Sequence, residues 1–142
     1  MASIAEALGG AKAFRHEPAS LRDWVDRIRE GLPAASALAL KGSLELTNAQ
    51  LAALLGVSER TLGRWNPARD RLDAVAGDRL HRTARLYAFA TEVLEDRAAA
   101  VRWLKAPQRA LGGAVPLELA ATDVGTRAVE ALLGRMEHGV YA

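Results

Sequence analysis

The side chains best suited to molecular recognition lie on a short stretch after Ser58, and they can act through hydrogen bonds and charge. Ser58 can begin a helix by accepting a hydrogen bond from a backbone N–H group. The residues that this helix would turn outward are Glu59, Arg60, Thr61 and Arg64. Leu62 would face inward and hold the helix against its neighbour. Polar and basic residues exposed at the start of a short helix are typical of a helix that reads DNA.

A second helix must position this one, and the sequence predicts it directly upstream. Thr47 and Gln50 form a T-x-x-Q capping box, so a helix should begin at Asn48. Its buried face would consist of Leu51, Leu54 and Leu55. Gly56 can then end the helix in the left-handed conformation at no steric cost. The whole pattern indicates a helix-turn-helix, and an ordinary pair of packed helices is the alternative.

No group of residues typical of an enzyme active site is present. His16, His81 and His138 are scattered along the chain and lack the spacing of metal ligands. Gly112 and Gly113 form neither a dinucleotide-binding motif nor a phosphate-binding loop. The sequence therefore predicts a binding protein with no catalytic residues, no metal site and no cofactor.

The composition favours an all-α protein. The 142 residues are 50% hydrophobic but only 5% aromatic, and β-branched residues are scarce. The absence of cysteine excludes a disulfide scaffold and a thiolate metal site. The chain has no membrane-length apolar run and no signal-peptide pattern, so we expect a soluble, cytoplasmic protein without a membrane partner. The net charge is only +2, so we expect more than one copy on a DNA duplex.

Residues 1–66 are predicted to form an N-terminal helical unit around the helix-turn-helix. Ser20 begins a helix whose apolar stripe would comprise Leu21, Trp24, Val25 and Ile28. Pro33 suits the first position of a helix and Gly42 suits a helix end, so a short helix is predicted over residues 34–41. The unit should close near Asn66-Pro67, because proline cannot continue the preceding helix.

Residues 67–142 are predicted to form a second helical unit. Asp73 can cap a long helix that runs to about Glu95. Apolar residues cover a wide arc of this helix, which implies contact on two sides. Both sides could face the core of this chain, or one could face a partner or a second copy.

The last predicted helix begins at Thr122 and ends at Gly139. Gly125 and Ala128 are small enough to let another helix approach closely. The residues after Gly139 form an apolar, aromatic tail that comprises Val140, Tyr141 and Ala142. Such a tail is better suited to docking on a partner than to solvent, and packing of Tyr141 back onto the last helix of this chain is the alternative.

The two units together resemble an antitoxin of the Xre/MbcA/ParS group, over about residues 20–142. The helix-turn-helix is common to many Xre-like repressors, so the second unit carries more of the resemblance. Its residues match the C-terminal toxin-binding domain of that family, in order and spacing, at 100–107, 110–113, 116–119, 122–125, 132–136 and 138–142.

The resemblance implies an antitoxin that blocks the active site of a RES-domain toxin, an NAD-consuming or ADP-ribosyltransferase-like enzyme. It also implies that the complex represses its own operon and that the antitoxin itself binds no NAD. The expected partners are the toxin, operator DNA and further copies, as a homodimer or a toxin–antitoxin hetero-oligomer. The alternatives are a stand-alone repressor with a dimerising or sensing C-terminal half, and an adaptor with a vestigial helix-turn-helix.

The same resemblance assigns residues to the two partners. Operator DNA would be contacted by Asn48, Ser58, Glu59, Arg60, Thr61 and Arg64. Arginine can form paired hydrogen bonds with guanine, whereas Ser58 and Asn48 would hold phosphates. A local ion pair between Glu59 and Arg60 is also expected. The toxin would be contacted by Leu111, Leu117, Gly125, Val129, Leu132, Met136, Gly139, Val140, Tyr141 and Ala142.

Overall fold

The computed structural model describes residues 3–139, and within that range the chain is helical. The α-helices of these residues are α1 (Ile4–Ala7), α2 (Leu21–Glu30), α3 (Ala34–Ser43), α4 (Asn48–Leu55), α5 (Glu59–Arg64), α6 (Ala74–Leu94), α7 (Arg97–Lys105), α8 (Pro116–Leu119) and α9 (Asp123–Glu137). Short 3₁₀ turns are formed by Gly10–Lys12 and Arg109–Leu111. The predicted all-α fold is confirmed. No helix of residues 3–139 combines the length and the apolar character needed to cross a membrane.

The long helix α6 lies at the centre of the molecule. Five helices pack against it, namely α1, α2, α4, α7 and α9. Its buried residues are Ala76, Gly77, Leu80, Thr83, Ala84, Leu86, Tyr87, Ala90 and Thr91. Within the described residues, the predicted contact on two sides of this helix is therefore made by the helices of this same chain.

Side-chain caps determine where most of the helices begin. Thr47 Oγ1 accepts a hydrogen bond from the Gln50 N–H, and the Thr47 N–H donates to Gln50 Oε1. The side chains of Ser58, Asp73 and Thr122 likewise cap α5, α6 and α9. Such a cap typically stabilises a helix by about 1 kcal/mol, because it satisfies an otherwise unpaired N–H group. These predicted helix starts are confirmed.

The second and third helices differ from the predictions in detail. Leu21 is 83% exposed and does not join the apolar stripe of α2. It is the first residue of α2, and a helical side chain leans towards the N-terminus, so here it projects beyond the packed surface. Trp24 is half-buried and packs edge-on against the rings of Phe14 and His81.

Helix α3 begins at Ala34, as predicted, but it continues past Gly42 and ends at Ser43. The left-handed residue at the corner before α4 is Glu45, with a φ of 53°. Lys105 of α7 holds this corner, because its Nζ donates to the carbonyl oxygens of Leu44 (3.1 Å) and Glu45 (2.7 Å). The start of the helix-turn-helix is thereby linked to the C-terminal half.

Candidate nucleic-acid interface

Helices α4 and α5 pack against each other across a turn of three residues. Ala52 and Leu62 are each only 4% exposed, so the facing sides of both helices are buried. Gly56 has a φ of 69°, which favours glycine, and a Cβ atom there would overlap the guanidinium group of Arg79 on α6. The positive φ therefore favours glycine in this turn, whereas the flexible end of the Arg79 side chain can move away from a Cβ atom.

The polar residues of this motif face solvent, as the sequence predicts. Each of the six predicted DNA-contacting residues is exposed: Asn48, Ser58, Glu59, Arg60, Thr61 and Arg64. The Ser58 hydroxyl is engaged in the cap of α5, where it accepts from the Thr61 N–H and donates to Thr61 Oγ1, each at 3.0 Å. Ser58 therefore orders the start of the helix as well as facing outward.

The expected ion pair between Glu59 and Arg60 does not form. In the part of the chain that the structure describes, no carboxylate lies within 4.0 Å of the Arg60 or Arg64 guanidinium. Adjacent residues in a helix point about 100° apart, so Glu59 and Arg60 do not face each other. Both arginines are thus available to make paired hydrogen bonds with a base edge or a phosphate.

Gly63 is exposed, and the space around its missing Cβ atom is open. The packing of this chain therefore does not require glycine at that position in α5.

The predicted toxin-binding residues fall into two groups. Four of them are buried inside this chain: Leu117, Gly125, Val129 and Leu132. At Gly125 a Cβ atom would overlap the carbonyl group of Leu119, so the small residue serves the corner between α8 and α9. Because their surfaces are covered by this chain's own helices, these four residues are not part of the toxin-binding surface proposed below.

The other predicted toxin-binding residues that the structure describes are accessible. Leu111 and Met136 are half-buried at the edge of the core, and Gly139 is exposed with a φ of 74° just after α9. Val140, Tyr141 and Ala142 lie outside the described residues. Val124, on the first turn of α9, is 80% exposed, and sequence reasoning did not select it.

A groove of about 460 Å³ lies between α4 and the segment around α8. Its lining residues are Ala49, Gln50, Ala53, Leu54, Lys105, Val115, Leu117, Glu118 and Ala121. Sequence reasoning missed this groove, since its two walls are more than fifty residues apart in the chain.

Two family models match consecutive parts of the chain. Residues 23–85 match the antitoxin Xre-like helix-turn-helix domain, and residues 89–139 match the antitoxin Xre/MbcA/ParS C-terminal toxin-binding domain. The chain belongs to the Xre/MbcA/ParS family of antitoxins. The two matches adjoin within α6, so this antitoxin uses one central helix for both domains. The division at residue 66 stays a prediction.

Individual relatives of this antitoxin agree with the family match. It is 26% identical to antitoxin Xre of Photorhabdus laumondii over 116 residues, which cover 81% of this chain and 78% of the relative. It is 27% identical to antitoxin Xre of Yersinia enterocolitica over 119 residues, which cover 83% and 80%.

A solved structure is similar over a comparable length. A chain of the crystal structure of the Mycobacterium tuberculosis MbcT–MbcA toxin–antitoxin complex superposes with a TM-score of 0.59 and 26% sequence identity. The superposition covers 77% of this antitoxin and 96% of that chain.

Proposed function

We propose that this antitoxin binds a cognate RES-domain toxin, covers its active site, and represses its own operon through the helix-turn-helix. The observation that carries the proposal is the tandem arrangement of an Xre-like helix-turn-helix and a toxin-binding domain in one chain. The likeness to a chain of a toxin–antitoxin complex supports a toxin as the partner. The RES class of that toxin rests on the sequence resemblance. In this proposal the chain is a cytoplasmic binding protein and not an enzyme.

The proposed DNA-reading surface is the exposed side of α5. Arg60 and Arg64 are four residues apart and share one side of the helix, and neither is paired with a carboxylate among the described residues. The whole chain has an excess of only two positive charges, so one copy neutralises few phosphates. We therefore propose that a homodimer or a toxin–antitoxin hetero-oligomer binds the operator.

The proposed toxin-binding surface lies at the end of α9 and continues into the residues that follow. Met136 and Gly139 are accessible there, and Leu111 is accessible on the 3₁₀ turn that packs near α9. Val140 and Tyr141 would add apolar and aromatic surface. An aromatic residue that enters a pocket of a partner is a frequent anchor of protein–protein binding.

Co-expression of the antitoxin with its toxin tests the proposed neutralisation of the toxin. The toxin to use is the product of the open reading frame next to the antitoxin gene. We expect the full-length antitoxin to restore growth and the cellular NAD level in cells that express it. If that neighbouring gene encodes no RES-domain protein, or if the antitoxin gives no rescue, the proposed function is wrong.

Substitutions on α5 test the proposed binding to operator DNA. We expect Arg60→Ala and Arg64→Ala each to weaken binding to the upstream DNA by about 1–3 kcal/mol, because each removes paired hydrogen bonds to a base. Gel-shift titration measures this loss. Both variants should still neutralise the toxin, which serves as the control for folding. Unchanged affinity of both variants for DNA would favour the adaptor that binds the toxin alone.

A further inference from the structure

A hydrogen-bonded turn, residues 66–70, follows α5 directly. The Asn66 side chain accepts a hydrogen bond from the Ala68 N–H (2.9 Å), and the Asn66 N–H donates to Asp70 Oδ2 (2.7 Å). The Asn66 carbonyl oxygen also accepts from the N–H groups of Arg69 (3.1 Å) and Asp70 (2.9 Å). Two side chains and the backbone thus close the turn on itself, so its conformation is set before any partner binds.

Both ends of the 66–70 turn are attached to the body of the protein. Before the turn, Trp65 is half-buried and packs against the hydrophobic core. After it, the Asp70 carbonyl oxygen accepts from the Ala34 N–H (2.9 Å), and the Leu72 N–H donates to the Leu32 carbonyl oxygen (2.8 Å). The position of the turn relative to α5 is therefore fixed by the fold.

Arg69 projects from this turn as a cation that no other described residue engages. It is exposed, and its guanidinium makes no hydrogen bond or ion pair within residues 3–139. The neighbouring Asp70 carboxylate accepts a hydrogen bond from the Asn66 N–H.

Residues 59–71 carry an excess of positive charge. They contain four arginines and two acidic residues, an excess of two positive charges, which equals the net charge of all 142 residues. The rest of the chain is neutral overall. These four arginines lie on α5 and on the segment that follows it, where positive charge can attract the phosphates of a nucleic acid.

The distance between Arg64 and Arg69 suits one DNA duplex. Five residues span at most about 18 Å when fully extended, and the hydrogen-bonded turn brings the two positions closer than that. A duplex carries one negative charge for about every 1.7 Å of its axis. On a duplex that Arg64 contacts, neighbouring phosphates therefore lie closer together than the maximum separation of the two residues along the chain.

We infer that Arg69, in the 66–70 turn, binds a phosphate of the same duplex that α5 reads. This inference rests on the DNA-binding half of the proposed function and adds a contact outside the helix-turn-helix motif. A phosphate contact adds affinity and fixes the orientation of the protein, but it carries no preference for base sequence. Because the turn is already ordered, binding loses little conformational freedom of the backbone.

The experiment compares Arg69→Ala and Arg69→Lys with Arg102→Ala as a matched control. Arg102 is an exposed arginine of α7 that makes no hydrogen bond or ion pair among the described residues. Its replacement by alanine changes the net charge by the same amount as Arg69→Ala. The two DNA probes are the intergenic duplex upstream of the coding sequence and a scrambled duplex of equal length. Affinity for each is measured over a range of salt concentrations.

We expect Arg69→Ala to weaken binding to both duplexes by a similar factor of about three to ten at low salt. The slope of log affinity against log salt should fall by about 0.9 for each copy bound. Arg69→Lys should keep most of the slope because it keeps the charge, and Arg102→Ala should keep all of it. Unchanged melting curves should show that the variants are folded.

Several results would overturn the inference. One is a slope for Arg69→Ala equal to that of the Arg102→Ala control. A loss confined to the upstream duplex would instead make Arg69 a reader of bases. Loss of toxin neutralisation by Arg69→Glu with unchanged DNA binding would assign the turn to the toxin. If the unsubstituted antitoxin bound neither duplex, the DNA-binding half of the proposed function would fail, and this inference with it.

Discussion

The His81 ring is half-buried beside a tryptophan. The ring packs against Trp24 with 4.7 Å between the ring centroids, and its Nε2 atom is buried without a hydrogen-bond partner among the described residues. Burial lowers the pKa of His81, and the nearby Arg85 lowers it further, whereas Asp78 opposes the shift. The folded protein therefore favours the neutral ring.

We predict that the free energy of unfolding decreases as the pH falls below about 6.5, the ordinary pKa of histidine. The unfolded chain protonates His81 first, because only the folded state depresses this pKa, so acid favours unfolding. Urea denaturation between about pH 7.5 and 5.5 measures the effect. His81→Gln should remove most of the slope, while the exposed His16 and His138 are kept in both proteins. Equal slopes for both would contradict the prediction.

Two glycines of α9 provide a matched test of close packing. A Cβ atom at Gly125 would overlap the backbone of Leu119, whereas a Cβ atom at Gly134 would meet nothing within 4 Å. We predict that Gly125→Ala lowers the free energy of unfolding by about 1–3 kcal/mol, because the backbone around Leu119 must shift to make room for the Cβ atom. Gly134→Ala should raise it by about 0.5–1 kcal/mol, since alanine favours the helix. Urea titration of both variants measures the two changes in the free energy of unfolding. Changes of the same sign in the two variants would contradict the packing argument.

The starts of the helices were predictable from sequence because their signals are local. The caps at Thr47, Ser58 and Thr122 bind N–H groups only three residues further along. A pattern of four residues therefore contains all the chemistry that begins the helix. The exposure of Arg60 and Arg64 followed for the same reason, because a helix start and one inward leucine fix the outer face.

The end of α3 was not predictable in this way, because a distant residue helps to shape it. Gly42 has the right type for a helix end, yet the left-handed residue is Glu45. The carbonyl oxygens of Leu44 and Glu45 accept hydrogen bonds from Lys105, some sixty residues away. A local pattern contains no information about such a donor.

Removal of the Lys105 ammonium group tests how strongly it holds this corner. We predict that Lys105→Met lowers the free energy of unfolding by about 1–2 kcal/mol, because two carbonyl oxygens lose a charged donor. Amide hydrogen exchange should also become faster around residues 44–46 than elsewhere. Lys41→Met is the control, since Lys41 is equally half-buried and makes no hydrogen bond among the described residues. Equal effects of the two substitutions would show that the corner does not depend on Lys105.

At the level of the whole molecule, α6 joins the part that matches the helix-turn-helix domain to the part that matches the toxin-binding domain. It packs against α4 of the first part and against α7 and α9 of the second. Arg85 of α6 also pairs with Glu130 of α9 through two hydrogen bonds of 2.9 Å. The matches to both domains thus include parts of one helix.

The burial of the residues on α8 and α9 was harder to predict from sequence than the exposure of the residues on α5. Periodicity identifies an apolar face, but it does not tell whether that face is covered by the same chain or by a partner. Val129 and Leu132 have the spacing of a binding face, yet they are buried within this chain. Only the three-dimensional arrangement of α6, α8 and α9 distinguishes the two cases.

Truncation tests whether the two activities are separable. We predict that a chain that stops after His138 no longer neutralises the toxin but still folds and binds DNA. Helix α9 ends at Glu137, and Gly139 is already exposed, so the deletion removes no described core side chain. Loss of an aromatic anchor typically costs at least about 2 kcal/mol of binding free energy, a factor of about thirty in affinity. Growth and the cellular NAD level after co-expression with the toxin measure the loss.

The controls for this truncation must separate a lost contact from a lost fold. The truncated protein should retain its melting temperature and its affinity for upstream DNA, because α5 and its supports are untouched. Tyr141→Ala in the full-length chain should reproduce most of the defect, which would assign the defect to the ring. Arg60→Ala should behave in the opposite way, with rescue retained and DNA binding weakened. Full rescue of growth by the chain that ends at His138 would show that residues 139–142 do not dock on the toxin. A lowered melting temperature of that truncated chain would show instead that these residues stabilise the antitoxin itself.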